Sequence, residues 1–263
     1  MRRRTLVAAV CVALMACATA TVGGAAGVKV VPALPLHGIV VGIDPGHNGD
    51  NYTDPAYINH LVWNGRAWES CDTTGTATDS GYTESLYNWS VAVQLRADLV
   101  ALGAKVVSTR SSNHGLGPCV NTRAQIIDRA HADVAIDIHA DGGPPGGRGF
   151  AILVPVVSAQ NHLVVGSSLR FGLYVRSAFR NIANMPWSTY DGVRAIQPRS
   201  DLAGLNLTTV PKVLIECGNM RNATDAALLV SPSFQRRAAR ALTEAIEQFL
   251  RASHRIAASR VAG

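Results

Sequence analysis

Two histidines and two glutamates stand where their neighbours make them available for chemistry. His47 ends the run Asp44-Pro45-Gly46-His47, His139 lies in Ile138-His139-Ala140-Asp141, and Glu216 lies in Ile215-Glu216-Cys217. Each follows a short apolar stretch, while Glu84 opens a segment of helical periodicity. Two imidazoles and one carboxylate are a standard catalytic donor set for zinc. Neutral ring nitrogens and a carboxylate oxygen take three tetrahedral positions and leave the fourth for water. The gaps separating these residues are long and carry no signature of their own, and the compact His-Glu-x-x-His pair is absent. Chemistry therefore depends on whether the fold brings them to one place.

The elements that must do so alternate. Residues 38–44 contain Ile39-Val40-Val41-Gly42-Ile43, an apolar run closed by a Pro-Gly turn, which predicts a buried strand. Tyr87, Val91, Leu95, Leu99 and Leu102 recur at helical spacing over 84–102, with Gly103 as a stop. Strands are predicted at 105–109, 134–138, 149–155 and 211–215. Helices are predicted at 121–132, at 160–181 and from Ser231-Pro232 onward, where a capping residue precedes proline in the first turn. Residues 48–83 show no steady period and read as a long ordered loop carrying Tyr52, Tyr57, Trp63, Trp68 and Tyr82, with packing and sugar-platform roles both open. The alternation predicts an α/β fold: a single domain with a mostly parallel central sheet flanked by helices. In such sheets ligands bind at the carboxyl ends of the strands, where His47, His139 and Glu216 fall.

The chain has 263 residues, 48% of them apolar and 16% charged, enough to bury a sizeable core. Arg2-Arg3-Arg4, a short apolar stretch and small residues near Ala16–Ala20 have the layout of a secretory signal, assigned to residues 1–27, with residues 28–263 as the catalytic domain. Leu14-Met15-Ala16-Cys17 is a poor match to a lipoprotein box. The three arginines supply half of the +6 net charge. No later run reaches the roughly 18 apolar residues of a membrane span. Export permits a disulfide. Cys217 follows Val213-Leu214-Ile215 and reads as buried, whereas Cys71 and Cys119 lie in loops expected to emerge on the same sheet edge and are the expected pair. The remaining histidines (37, 60, 114, 131, 162 and 254) read as surface residues. Gly142-Gly143-Pro144-Pro145-Gly146-Gly147 lacks the Lys-Ser/Thr of a phosphate loop and reads as a turn at the rim.

Four segments in order, Val41-Gly42-Ile43-Asp44-Pro45-Gly46-His47, the helix-opening Glu84, Ile136-Asp137-Ile138-His139-Ala140-Asp141 and Val213-Leu214-Ile215-Glu216-Cys217-Gly218-Asn219, resemble the motifs of the zinc-dependent N-acetylmuramoyl-L-alanine amidases over about residues 38–250. The resemblance implies one zinc per chain held by His47, Glu84 and His139, with Glu216 as catalytic carboxylate. It implies cleavage of the amide between the lactyl group of N-acetylmuramic acid and L-alanine in peptidoglycan. The departures are the long stretch between His47 and Glu84, which bears on substrate access, and Asp137, where a small serine is commoner. Asp137, two residues before His139 on one strand face, is a candidate to orient that histidine. Arg194 and Asn206 are candidate substrate contacts. The expected setting is the periplasm, the cell wall or the exterior, with a monomer acting on peptidoglycan and neither nucleic acid nor a membrane as partner. Another zinc peptidase or amidohydrolase of the envelope would present the same site, and a non-catalytic wall-binding module would have lost it.

Overall fold

A computed structural model describes residues 33–253. The expected signal segment, Cys11, Cys17 and His254 lie outside them. A six-stranded sheet runs in the order β4-β1-β5-β8-β6-β7, with β1 at Val40–Pro45, β4 at Lys105–Ser108, β5 at Val134–Asp141, β6 at Ala151–Pro155, β7 at Ile196–Arg199 and β8 at Lys212–Asn219. Strands β4, β1, β5 and β8 are parallel. Strand β6 is antiparallel to β8, and β7 is parallel to β6.

The period-two alternation of these strands sorts the sheet into two faces. Val41, Ile43, Ile136, Ile138, Ile152, Val154, Val213 and Ile215 point to the main core. There they meet helices α2 (Glu84–Ala101), α4 (Val165–Ala178) and α7 (Pro232–Ala252), whose buried residues include Tyr87, Leu95, Phe171, Phe234 and Phe249. The opposite face carries Ala135, Ala151, Leu153 and Leu214. It is covered by the shorter helices α3 (Val120–Arg129) and α5 (Ala203–Asn206) through Ile127 and Leu205. On that lightly covered face the same alternation places Asp44, Asp137, His139, Lys212 and Glu216. The register aligns Asp44 with Asp137 and His139 with Glu216 on neighbouring strands.

The stretch 48–83 is more built than a loop. It holds a helical turn at Asn51–Thr53, α1 at Pro55–Asn59 and a hairpin of β2 (Leu61–Trp63) and β3 (Trp68–Ser70). Elements of three to five residues are too short to show a period, which is why the sequence reads as irregular there. The 160–181 helix starts later than expected, at Val165, and ends in a π-type turn at Phe179–Ala183. Strand β7, helix α5 and helix α6 (Ala223–Leu229) were not foreseen. The Cys71–Cys119 disulfide is present, and Cys217 is buried and free. The disulfide ties the end of the hairpin to the start of α3, in a small cluster with Val62. None of the helices among the described residues is long and apolar enough to cross a membrane.

Candidate active site

Strand β1 ends in a sharp turn. Gly46 leaves room that a side chain would remove: a Cβ there would lie 2.1 Å from the His139 ring. His47 follows with φ of 58°, a left-handed conformation costly for a residue with a Cβ. The turn is held by buried side chains. Arg110 Nε and Arg123 Nη1 donate to the Pro45 carbonyl, Asn88 Nδ2 and Arg110 Nη2 donate to that of Gly46, and Arg123 Nη2 donates to that of His47. Glu84, the first residue of α2 after its N-cap Thr83, receives the backbone N–H of Thr76 on Oε2 at 3.0 Å.

These constraints bring the three expected ligands together. Glu84 Oε1 lies 2.8 Å from His139 Nδ1 and 3.3 Å from His47 Nε2. The two rings stand nearly perpendicular, with centroids 4.8 Å apart. The second nitrogen of each ring faces a carboxylate: His47 Nδ1 is 3.2 Å from Asp72 Oδ1, and His139 Nε2 is 3.4 Å from Asp137 Oδ1. An acid behind each imidazole fixes which nitrogen presents its lone pair, the arrangement common to metal-bound histidines. Asp137 thus lies where the strand alternation put it. Asp72 was not anticipated, because nothing in its local sequence separates it from an ordinary loop aspartate.

The field of the site draws cations. Burial works against a charged His47, but Glu84 and then Asp72 outweigh it and push the imidazole up to about 9 in the metal-free chain. His139 is raised in the same way against burial, by Asp137 and Glu84, and Glu84 is held well below the usual carboxylate range by the two histidines. A field that attracts protons to both rings also attracts a dication. The donor set, two nitrogens and a carboxylate oxygen within 4.8 Å of one another, fits zinc. Glu216 behaves oppositely: burial, aided by Glu84 and Asp141, pushes its carboxyl up to about 8, and its Oε2 is buried without a hydrogen-bond partner.

The site opens into a cavity of about 590 Å³ bounded by Glu69 and Ser70 of the hairpin, Thr76, Arg199 and Leu202. Trp63 and Trp68 pack edge to face on the exposed hairpin. Two expected substrate contacts lie elsewhere. Arg194 is not in the cavity wall and is exposed, its guanidinium over Trp187, and Asn206 is buried, donating from Nδ2 to the Ser200 carbonyl. Arg199, at the end of the unforeseen strand β7, lines the cavity, as does Arg123 of α3.

A mostly parallel α/β sheet with a His–Glu–His donor set and a partly buried glutamate at its carboxyl edge has the makings of a hydrolase centre. Residues 41–248 match the family described as N-acetylmuramoyl-L-alanine amidase. The chain is 38% identical over 216 residues to the N-acetylmuramoyl-L-alanine amidase Rv3717 of Mycobacterium tuberculosis, covering 82% of this chain and 88% of the relative. Among solved structures it is similar to the N-acetylmuramyl-L-alanine amidase Ami1 of Mycobacterium smegmatis, with 40% identity, a TM-score of 0.78 and coverage of 83% of this chain and 99% of that one. The apo form of Ami1 from Mycobacterium abscessus is also 40% identical, with a TM-score of 0.77 and coverage of 82% and 100%. The chain belongs to the N-acetylmuramoyl-L-alanine amidase family.

Proposed function

We infer that this chain is a peptidoglycan amidase that hydrolyses the bond between the lactyl group of N-acetylmuramic acid and L-alanine. His47, Glu84 and His139 hold one zinc ion, and Glu216 moves the proton. The observation that carries the reading is the convergence of His47 Nε2, His139 Nδ1 and Glu84 Oε1, with Glu216 beside His139 in register, in a chain of this family. Zinc, when bound, supplies Lewis acidity and makes water a nucleophile near neutral pH.

The chain's own groups do the rest. Asp72 and Asp137 hold the imidazoles in the orientation that turns His47 Nε2 and His139 Nδ1 inward. Glu216, with one oxygen free of any protein partner, accepts a proton from the attacking water and returns it to the leaving nitrogen of L-alanine, the two halves of general acid–base catalysis. The hairpin and Arg199 form walls along which a muropeptide lies.

Residues 1–27 export the protein and residues 28–263 act as a monomer on the wall. The disulfide supports an oxidising compartment. Digestion of purified peptidoglycan with product analysis tests the reading. New free N-terminal alanine, suppressed by a chelator, is expected; cleavage inside the stem peptide would make it an envelope peptidase instead.

A further inference from the structure

Beneath the site lies a cation that the mechanism does not use. Lys212 opens β8 ahead of Val213-Leu214-Ile215, and its side chain is wholly buried. Its ammonium is 2.9 Å from Asp44 Oδ2 and 3.5 Å from Asp137 Oδ2. Gly204 of α5 closes over the pair: a Cβ there would sit 3.0 Å from Nζ and 3.1 Å from Asp137 Oδ2.

Two arms leave this ammonium. In one, Asp137 passes on to His139, its Oδ1 being 3.4 Å from Nε2. In the other, Asp44 Oδ1 is 3.1 Å from Arg123 Nη1, Arg123 Nη2 is 3.0 Å from Asp72 Oδ2, and Asp72 Oδ1 is 3.2 Å from His47 Nδ1. Charges alternate without a break from one imidazole to the other, and each imidazole is gripped by the nitrogen that faces away from Glu84. For stability alone, a well-packed apolar side chain serves as well as a buried ion pair. A fixed orientation of Asp137 is something an apolar side chain cannot supply.

We propose that Lys212 is a positioning residue, holding Asp137 against His139, and through Asp44, Arg123 and Asp72 joining both histidines to one buried charge network. The two arms differ in strength. Asp44 keeps Thr109 and Arg123 as partners when Lys212 is removed, so the loss falls chiefly on Asp137 and His139. The proposal rests on the zinc reading of the site.

The test is the affinity of the purified protein for zinc alone, by competition with a chromophoric chelator, together with the visible spectrum of the cobalt(II)-substituted protein. Lys212→Met is expected to bind zinc about 10–100-fold more weakly and to alter the cobalt spectrum. A residue that served only fold stability would lower the melting temperature and leave both unchanged. Combining Lys212→Met with Asp137→Asn is expected to cost little more than either alone, because both act through one arm. Should Lys212→Met fail to fold, Gly204→Ala, which crowds the ammonium and Asp137, is expected to weaken zinc in the same direction. Affinity within about twofold of the parent protein in the folded variant, with an unaltered cobalt spectrum, overturns the proposal. A parent protein that binds no zinc overturns the zinc reading itself.

Discussion

His47 and His139 share one oxygen of Glu84 and each leans on its own aspartate, so the proposed division of labour can be tested one side chain at a time. Glu216→Gln keeps shape and volume but cannot take a proton. It is expected to retain zinc and to lose about 10²–10⁴ in turnover, the usual weight of a general base, as read by metal analysis beside a peptidoglycan assay. If zinc content falls as far as in Glu84→Gln, Glu216 is a ligand instead. Gly46→Ala is expected to fold but to displace the His139 ring, which lies in the volume a Cβ would take, and so to weaken zinc binding severely when titrated with a chelator. The histidines and glutamates were legible because strand ends and a helix start carried unusual residues. Asp72, Arg110 and Arg123 were not, because their importance arises from burial among residues distant in sequence. Arginines ordinarily read as solvent-facing.

At the scale of elements, the regular strands and long helices were legible and the hairpin was not. Strand β1 and helix α7 announce themselves by a continuous apolar run and by a periodic stripe that opens on Pro232, although Ser231 makes no side-chain capping bond. Segments of three to five residues such as β2, β3 and α5 have no room for a period, and they exist because the disulfide and the sheet hold them. Strand β7 is partly exposed and contains Pro198, and both features weaken its signal. The disulfide closes a loop with a sequence separation of 48, for which chain entropy gives up to about 4 kcal/mol. Replacing Cys71 and Cys119 by serine is expected to lower stability in a denaturant titration by an amount up to that figure. Activity should fall more than metal affinity, because the hairpin supplies the cavity wall rather than a ligand.

Across the sheet, the described residues put Asp44, Asp137 and Lys212 on one face and the larger apolar side chains on the other. That asymmetry has a consequence in acid. Against the penalty of burial, Lys212 and Arg123 hold the Asp44 carboxyl far below the usual range, while His47 and Arg123 push Asp72 down to about 2. Carboxylates depressed in the fold contribute stability that is complete above their unfolded values, near about 4, and that drains away as the pH falls toward the folded values. Melting temperature is therefore expected to drop steeply below about pH 4, and Asp72→Asn is expected to start lower and fall less. Zinc should raise the melting temperature in proportion to the logarithm of its free concentration once its dissociation constant is exceeded, because the ligands meet only in the folded chain.

The most direct measurement removes the metal and returns it in steps. Zinc-stripped protein is titrated with zinc while release of N-terminal alanine from purified peptidoglycan is followed. The metal-free chain is expected to be inactive, activity is expected to rise linearly and to break at one zinc per chain, and His139→Ala is expected to show no rise. Full activity of the metal-free chain, or an unimpaired His139→Ala titration, would contradict the account.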